Sequence, residues 1–186
     1  MLTVPNFLTL LRIIAIPVFL ILVNDHHYGA GLVLFLGAGI TDAVDGVIAR
    51  MTDSKSDLGA SLDPLADKML LISSFIMLTW QGVVPAWLCI LVLTRDVVIV
   101  AGVLLIYFFS TPAEIAPSAI SKFNTFNEMF TIGFALITLA RPDLPMTWVN
   151  LVTWYLTGVT TTVSGVHYVY TGLLWHQRQG AQTPAS

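Results

Sequence analysis

Charge is scarce in this chain. Asp, Glu, Lys and Arg make up only 10% of its 186 residues, against about 25% in soluble globular domains. That shortage excludes an ordinary soluble domain. A single cysteine, Cys89, excludes an intrachain disulfide, and its apolar surroundings make it a packing residue. Alternating strands of about ten residues are missing, which argues against an outer-membrane barrel. No internal repeat of useful period is present, and a cleavable signal or basic transit sequence before the first apolar segment is not expected. No nucleic-acid partner is expected.

What the chain has instead is grease. Hydrophobic residues are 56% of it, and the mean hydropathy is +0.82. Six apolar segments can be drawn, at 6–24, 29–51, 61–81, 84–109, 121–141 and 147–176. Each is close to or above the roughly 20 residues that cross a hydrocarbon core of about 30 Å. Without water to satisfy the backbone, such segments must be helices. The expectation is an all-α integral membrane protein: six transmembrane helices in one bundle, a single domain over residues 1–176, and a short polar tail over 177–186.

Positive charges sit on alternate sides of these segments. Arg12, Arg50, Lys55, Lys122 and Arg178 fall on one side, whereas the connections at 24–28 and 81–85 carry no Lys or Arg. The positive-inside tendency puts both termini and the connections at 52–60 and 110–120 in the cytoplasm. Trp80, Trp87, Trp148 and Trp175 lie near segment ends, as interfacial anchors do.

Against that background one stretch stands out. Residues 42–67 read D-x2-D-G-x2-A-R-x8-G-x3-D-x3-D: Asp42, Asp45, Gly46, Ala49, Arg50, Gly59, Asp63 and Asp67. An Asp at the centre of a membrane helix costs roughly 2.5–3.5 kcal/mol on insertion scales, so several together need compensation. The steps of three and four put the residues of each segment on one helical face. Packed as antiparallel neighbours across a short polar turn, the two segments can turn these faces toward each other. Asp42 and Asp67 come to similar depth below the cytoplasmic surface, roughly 9–14 Å at 1.5 Å per residue. Four carboxylates suit two divalent cations, and hard oxygen donors favour Mg²⁺ or Mn²⁺ over zinc. A two-metal site is suited to displacement at phosphorus. Gly46 and Gly59 leave room for a nucleotide against the backbone, and Arg50 is placed to hold diphosphate oxygens. Asp53 and Asp57 read as solvated residues of the polar connection.

The spacing matches, without gap or substitution, the signature of the CDP-alcohol phosphatidyltransferase family, which this chain resembles over nearly its whole length. The resemblance implies six membrane helices, a homodimer, a bacterial inner (cytoplasmic) membrane location and a cytoplasmic active site. It also implies transfer of a substituted phosphate from a CDP-linked donor to an alcohol, with release of CMP. Asp42, Asp45 and Asp63 would be metal ligands, and Asp67 a ligand and the general base. Asn6, Thr9, Gly46, Arg50, Ser56 and Gly59 would line the CDP site. No His or Cys lies in the motif to carry a phosphoryl group, so a sequential mechanism is expected.

Outside the signature, residues 61–68 (SLDPLADK) and 94–97 (TRDV) resemble the branch of phosphatidylglycerophosphate synthases and CMP-forming cardiolipin synthases. Residues 117–125 (PSAISKFNT) are closer to the cardiolipin type. Arg95 is the last cation of the fourth segment, which leaves Arg95 and Lys122 to bind the acceptor. So small a set suits phosphatidylglycerol, with its single negative charge, better than glycerol 3-phosphate. The leading expectation is therefore transfer from CDP-diacylglycerol to phosphatidylglycerol, with glycerol 3-phosphate as the alternative acceptor. A divalent-cation transporter is the rival of another class. It would need polar groups through the outer half of the second segment, and residues 29–39 supply none. Arg12 reads as an inner-leaflet anchor within reach of a phosphate, Lys68 either lines the pocket or points toward the headgroups, and Glu128 is an intramembrane acid that either pairs with Lys122 or faces the acceptor.

Overall fold

The computed structural model describes the backbone over residues 4–52, 57–109 and 119–180, and side chains over 11–41, 68–102 and 119–172. Among the described residues the chain is all helix. The helices are α1 (Val4–Asn24), α2 (Tyr28–Thr52), α3 (Asp57–Trp80), α4 (Ala86–Phe109), α5 (Ala119–Ala140) and α6 (Thr147–Gly180). Helix α3 begins four residues before the apolar run does, so Asp57 opens a helix rather than lying in a loop.

Two tight turns at one end of the bundle have clear local causes. Helix α3 stops in a Schellman cap: Val83 N–H donates to the Leu78 carbonyl at 3.1 Å and Gly82 N–H to Thr79 at 3.0 Å. Gly82 takes the required left-handed conformation, φ 76°. Helix α1 ends the same way, with His27 N–H on Leu22 and His26 N–H on Val23. There His26 itself adopts φ 64°, one of the few non-glycine types enriched in that region. The Gln81 side-chain amide donates to the Val23 carbonyl at 3.2 Å, tying the two turns together.

Packing among the described residues arranges the six helices as two layers of three, α1–α3–α4 over α2–α5–α6. Within the layers α3 touches α1 and α4, and α5 touches α2 and α6; between them α1 faces α2, α3 faces α5 and α4 faces α6. Consecutive helices α2 and α3 make no direct contact among the described residues. They are diagonal across the square formed by α1, α2, α5 and α3. Among the described residues α1 and α5 fill the places beside each of them, whereas the stripes expected to face each other, at 42–50 and 59–67, lie outside the described side chains.

The apolar core is built by Phe19 and Val23 of α1, Phe35 of α2, Leu71, Phe75 and Leu78 of α3, Leu88 and Val92 of α4, and Ile132 and Leu136 of α5. Phe19 and Phe35 meet at 6.1 Å between ring centroids. Cys89 is buried in this core with a free thiol, as expected. Helix α6 contributes almost no apolar side chain to it. Its buried residues are Asn150, Thr157, Gly158, Thr161 and Ser164, spaced by threes and fours along one face. They meet polar residues of α5: Thr131 and Thr157 hydroxyls lie 2.9 Å apart, and Asn150 donates to Thr138 at 2.8 Å. Small and hydrogen-bonding residues at a helix interface are what holds helices together where apolar burial gives no preference.

Against α4, the α6 backbone comes close enough that a Cβ at Gly158 would stand 2.9 Å from the Trp87 ring. Gly158→Val should therefore force the two helices apart, at about 1–3 kcal/mol for overpacking. A lowered melting temperature in detergent would show it; an unchanged one would mean that Trp87 swings clear at no cost.

The outward faces are strongly apolar. Ile14, Ile21, Val33, Ile40, Ile90, Val97, Val159 and Val166 are among many large hydrophobic residues left exposed. Among the described residues no helix is long and apolar enough to cross a membrane.

Candidate active site

The four signature aspartates are on the two diagonal helices. Asp42 and Asp45 belong to α2, and Asp63 and Asp67 to α3. From Asp42 to Thr52 and from Asp57 to Asp67 are each ten residues, so Asp42 and Asp67 stand at matching depths of about 15 Å from their helix ends. The side chains of Asn6, Thr9, Asp42, Asp45, Gly46, Arg50, Gly59, Asp63 and Asp67 lie outside the described residues, and so does Ser56 altogether. Among the described residues no group of His, Cys, Asp or Glu could hold a metal ion. The signature set itself, four carboxylates with neither Cys nor His, is the donor chemistry of Mg²⁺ or Mn²⁺.

Described side chains begin at Lys68, the residue after Asp67, and they form a connected polar cluster. Lys68 forms an ion pair with Asp96 of α4. The same carboxylate oxygen accepts from Arg95 Nη1 at 2.7 Å. Arg95 Nη2 donates to Ser121 Oγ of α5 at 2.5 Å and to Ser164 Oγ of α6 at 2.8 Å. Arg95 and Asp96 are only 4% and 3% exposed. One ionic cluster thus fastens α3, α4, α5 and α6 together at the level of the signature.

Just along α5 a second cluster follows. Asn124 donates to Glu128 Oε1 at 2.6 Å and accepts from the hydroxyls of Thr160 and Thr161 at 2.8 and 2.9 Å. Glu128 is fully buried. Its partner is Asn124, not the exposed Lys122 suggested by sequence. Of the two cations expected to hold the acceptor, Arg95 is buried and Lys122 exposed. Sequence reasoning left Lys68 unassigned and took α6 as a plain apolar segment. Its polar stripe, with buried positions at 150, 157, 161 and 164, was a signal available for finding the α6 partners.

Two cavities adjoin this region on opposite sides. One of about 360 Å³ lies within the α1–α2–α5–α3 square, walled by Phe35, Leu71, Phe130 and Phe134, with Arg12 among its lining. The other, of about 790 Å³, runs between α4 and α6 and includes Arg95. Both walls are overwhelmingly apolar.

The chain is similar to a probable CMP-forming cardiolipin synthase of Drosophila melanogaster, 34% identical over 188 residues that cover 90% of this chain and 56% of the relative. It is 31% identical to the CMP-forming cardiolipin synthase of Rattus norvegicus, over 91% of this chain and 61% of that one. It thus spans a little under two thirds of these relatives. A probable phosphatidylglycerophosphate synthase of Mycobacterium tuberculosis is 33% identical over 171 residues, covering 88% of this chain and 78% of the relative. The family model for CDP-alcohol phosphatidyltransferases matches residues 2–163, a stretch that takes in the whole aspartate motif together with Lys68, Arg95, Asp96 and Ser121, and the chain belongs to that family.

Proposed function

We propose that this protein is a membrane-embedded phosphatidyltransferase that joins CDP-diacylglycerol to phosphatidylglycerol, giving cardiolipin and CMP. The observation that carries the reading is the signature of acids on α2 and α3, two helices set diagonally across a square rather than packed together. With edges of 8–10 Å, the diagonal is roughly 11–14 Å. A separation of that size leaves space between the two backbones for cations and a diphosphate. Asp42, Asp45, Asp63 and Asp67 would hold a pair of Mg²⁺ or Mn²⁺ ions. When bound, such a pair supplies charge neutralisation at the donor's diphosphate.

In this reading Asp67 accepts the proton of the acceptor hydroxyl. The hydroxyl oxygen bonds to the phosphorus bearing the diacylglycerol, and the bond from that phosphorus to the bridging oxygen breaks. CMP departs with that oxygen, and the proton on Asp67 passes to water. Asn6, Thr9, Gly46, Arg50, Ser56 and Gly59 would seat the CDP group. Transfer is direct, because the motif offers no His or Cys to carry the phosphatidyl group.

Two kinds of support favour a lipid acceptor. Curated relatives named as cardiolipin synthases match about 90% of the chain. Arg95 is already engaged by Asp96, Ser121 and Ser164, which leaves little to offer the dianionic head of glycerol 3-phosphate. The second reading, phosphatidylglycerophosphate synthase, is supported by the mycobacterial relative of that name. A membrane setting is supported by the apolar exterior, since monomeric soluble proteins rarely expose contiguous apolar surface on this scale. The cytoplasmic side for the motif rests on the distribution of Lys and Arg, and a homodimer on family resemblance.

Purified protein given CDP-diacylglycerol, Mn²⁺ and, separately, phosphatidylglycerol, glycerol 3-phosphate or inositol phosphate should yield cardiolipin only with the first acceptor. Chelation by EDTA should abolish turnover and re-addition of Mn²⁺ restore it. A product mass matching phosphatidylglycerophosphate would replace the reading with its alternative. Labelled CMP exchanging into donor without acceptor would overturn direct transfer, and Mg²⁺ flux into liposomes without lipid turnover would favour a transporter.

A further inference from the structure

Resting on the reading above, we infer that the groove between α4 and α6 is the lateral entry and seat of the phospholipid acceptor, with Arg95 holding its phosphodiester. The groove is walled by Trp87, Ile90, Val98, Gly165, Val166 and Tyr170, with Arg95 among its lining. From Trp87 to Val98 is eleven residues of helix, about 16 Å, or about half of a 30 Å hydrocarbon core. That length and lining suit an acyl chain lying along the bundle. Nothing about a small water-soluble acceptor would call for them.

The chemistry at Arg95 fits the head of such a lipid. Its two terminal nitrogens are taken by Asp96, Ser121 and Ser164, while Nε, buried, has no hydrogen-bond partner. A guanidinium has five N–H donors; three are used here, which leaves Nε–H and the second Nη1 hydrogen for phosphate oxygen. Lys68 and Arg95 also share the single carboxylate of Asp96, so this trio carries one positive charge in excess. A phosphodiester brings one negative charge. At Gly165 the wall is thin: a Cβ there would stand 3.6 Å from Arg95 Cγ, so the arginine stem lies just beneath the groove surface.

The groove is also in the right place. It lies on the α4–α6 side of the bundle, and the cavity lined by Arg12 lies within the α1–α2–α5–α3 square. Between them runs the link from Arg95 through Asp96 to Lys68, the residue next to Asp67. Two lipid substrates would thus approach α3 from opposite sides, the donor through the square and the acceptor past Arg95. Neither would have to leave before the other entered, as direct transfer requires.

The test fills the groove without touching the core. Val166 is 64% exposed on its wall, and Val33, 70% exposed on α2, lines neither cavity. In mixed micelles Val166→Trp should raise the KM for phosphatidylglycerol about tenfold, the equivalent of a tenfold weaker site. The KM for CDP-diacylglycerol should not change, and Val33→Trp should change neither. Independently of turnover, phosphatidylglycerol carrying a photoreactive acyl chain should label the 161–170 peptide in wild type and Val33→Trp, but not in Val166→Trp. An unaltered KM and undiminished labelling in Val166→Trp would overturn the groove while leaving cardiolipin synthesis standing. Crosslinks from this face to a second copy of the chain would overturn it in favour of a dimer interface. Should wild type make no cardiolipin yet still be labelled here, the acceptor reading fails and the groove remains an anionic-lipid site.

Discussion

Asp67→Asn should abolish measurable transfer while leaving the protein folded. The substitution keeps size and shape but removes both the proton acceptor and one cation ligand. General-base removal alone costs about 10²- to 10⁴-fold, so the loss in kcat should be about 10³-fold or more. CMP release from labelled donor in the presence of phosphatidylglycerol reads it directly, and the melting temperature in detergent should fall little. Asp67→Glu keeps a carboxylate but displaces it by a methylene, and should recover only a small part of the rate. Activity within tenfold of wild type in Asp67→Asn would remove Asp67 from the chemistry and move the base to another acid of the signature.

The second large effect is on stability. Asp96 serves two cations at once: Lys68 on α3 and its own neighbour Arg95. Asp96→Ala strands both in a site where Arg95 is 4% exposed. Breaking a buried pair by deleting one partner costs about 3–5 kcal/mol. Lys68, whose side chain keeps 28% of its exposure, can partly turn to solvent, which places the expected loss toward the lower end of that range. Lys68→Met combined with Asp96→Ala should recover part of it, since one of the two stranded charges is gone. Thermal unfolding of wild type and the two variants in one detergent checks the order. Equal stability of Asp96→Ala and wild type would mean that the cluster does not hold α3 to α4.

Both predictions start from the same region, yet they differ in how visible they were beforehand. The role of Asp67 could be inferred from spacing and resemblance, because carboxylates repeated at helical intervals in greasy surroundings are too costly to keep unless they bind something positive. The role of Asp96 could not. Arg95 and Asp96 are adjacent in sequence and look like a self-contained ion pair. Only folding brings in Lys68 from 28 residues away, Ser121 from α5 and Ser164 from 69 residues away. Glu128 behaves the same way. Lys122, six positions earlier, looked like a natural partner, but six residues is about one and two-thirds turns and puts the pair on different aspects of α5. Asn124, four residues before Glu128, is the side chain within reach.

By itself the sequence determined the six helices and most of their ends, though α3 starts four residues earlier and α6 runs four residues further than the apolar runs. The apolar runs at 29–51 and 121–141 became Tyr28–Thr52 and Ala119–Ala140, because hydropathy and prolines act locally and need no knowledge of neighbours. It also determined the aspartate signature and its equal depth on two helices, which follow from a fixed rise per residue. Tertiary structure alone decided which helices touch. It separated α2 from α3 by packing α1 and α5 against both, opened a cavity on each side of the Lys68–Asp96–Arg95 link, and bound α6 through hydroxyls rather than grease. Those outcomes depend on which faces fit one another across long stretches of chain, and a helix's own sequence fixes its face but not its partner.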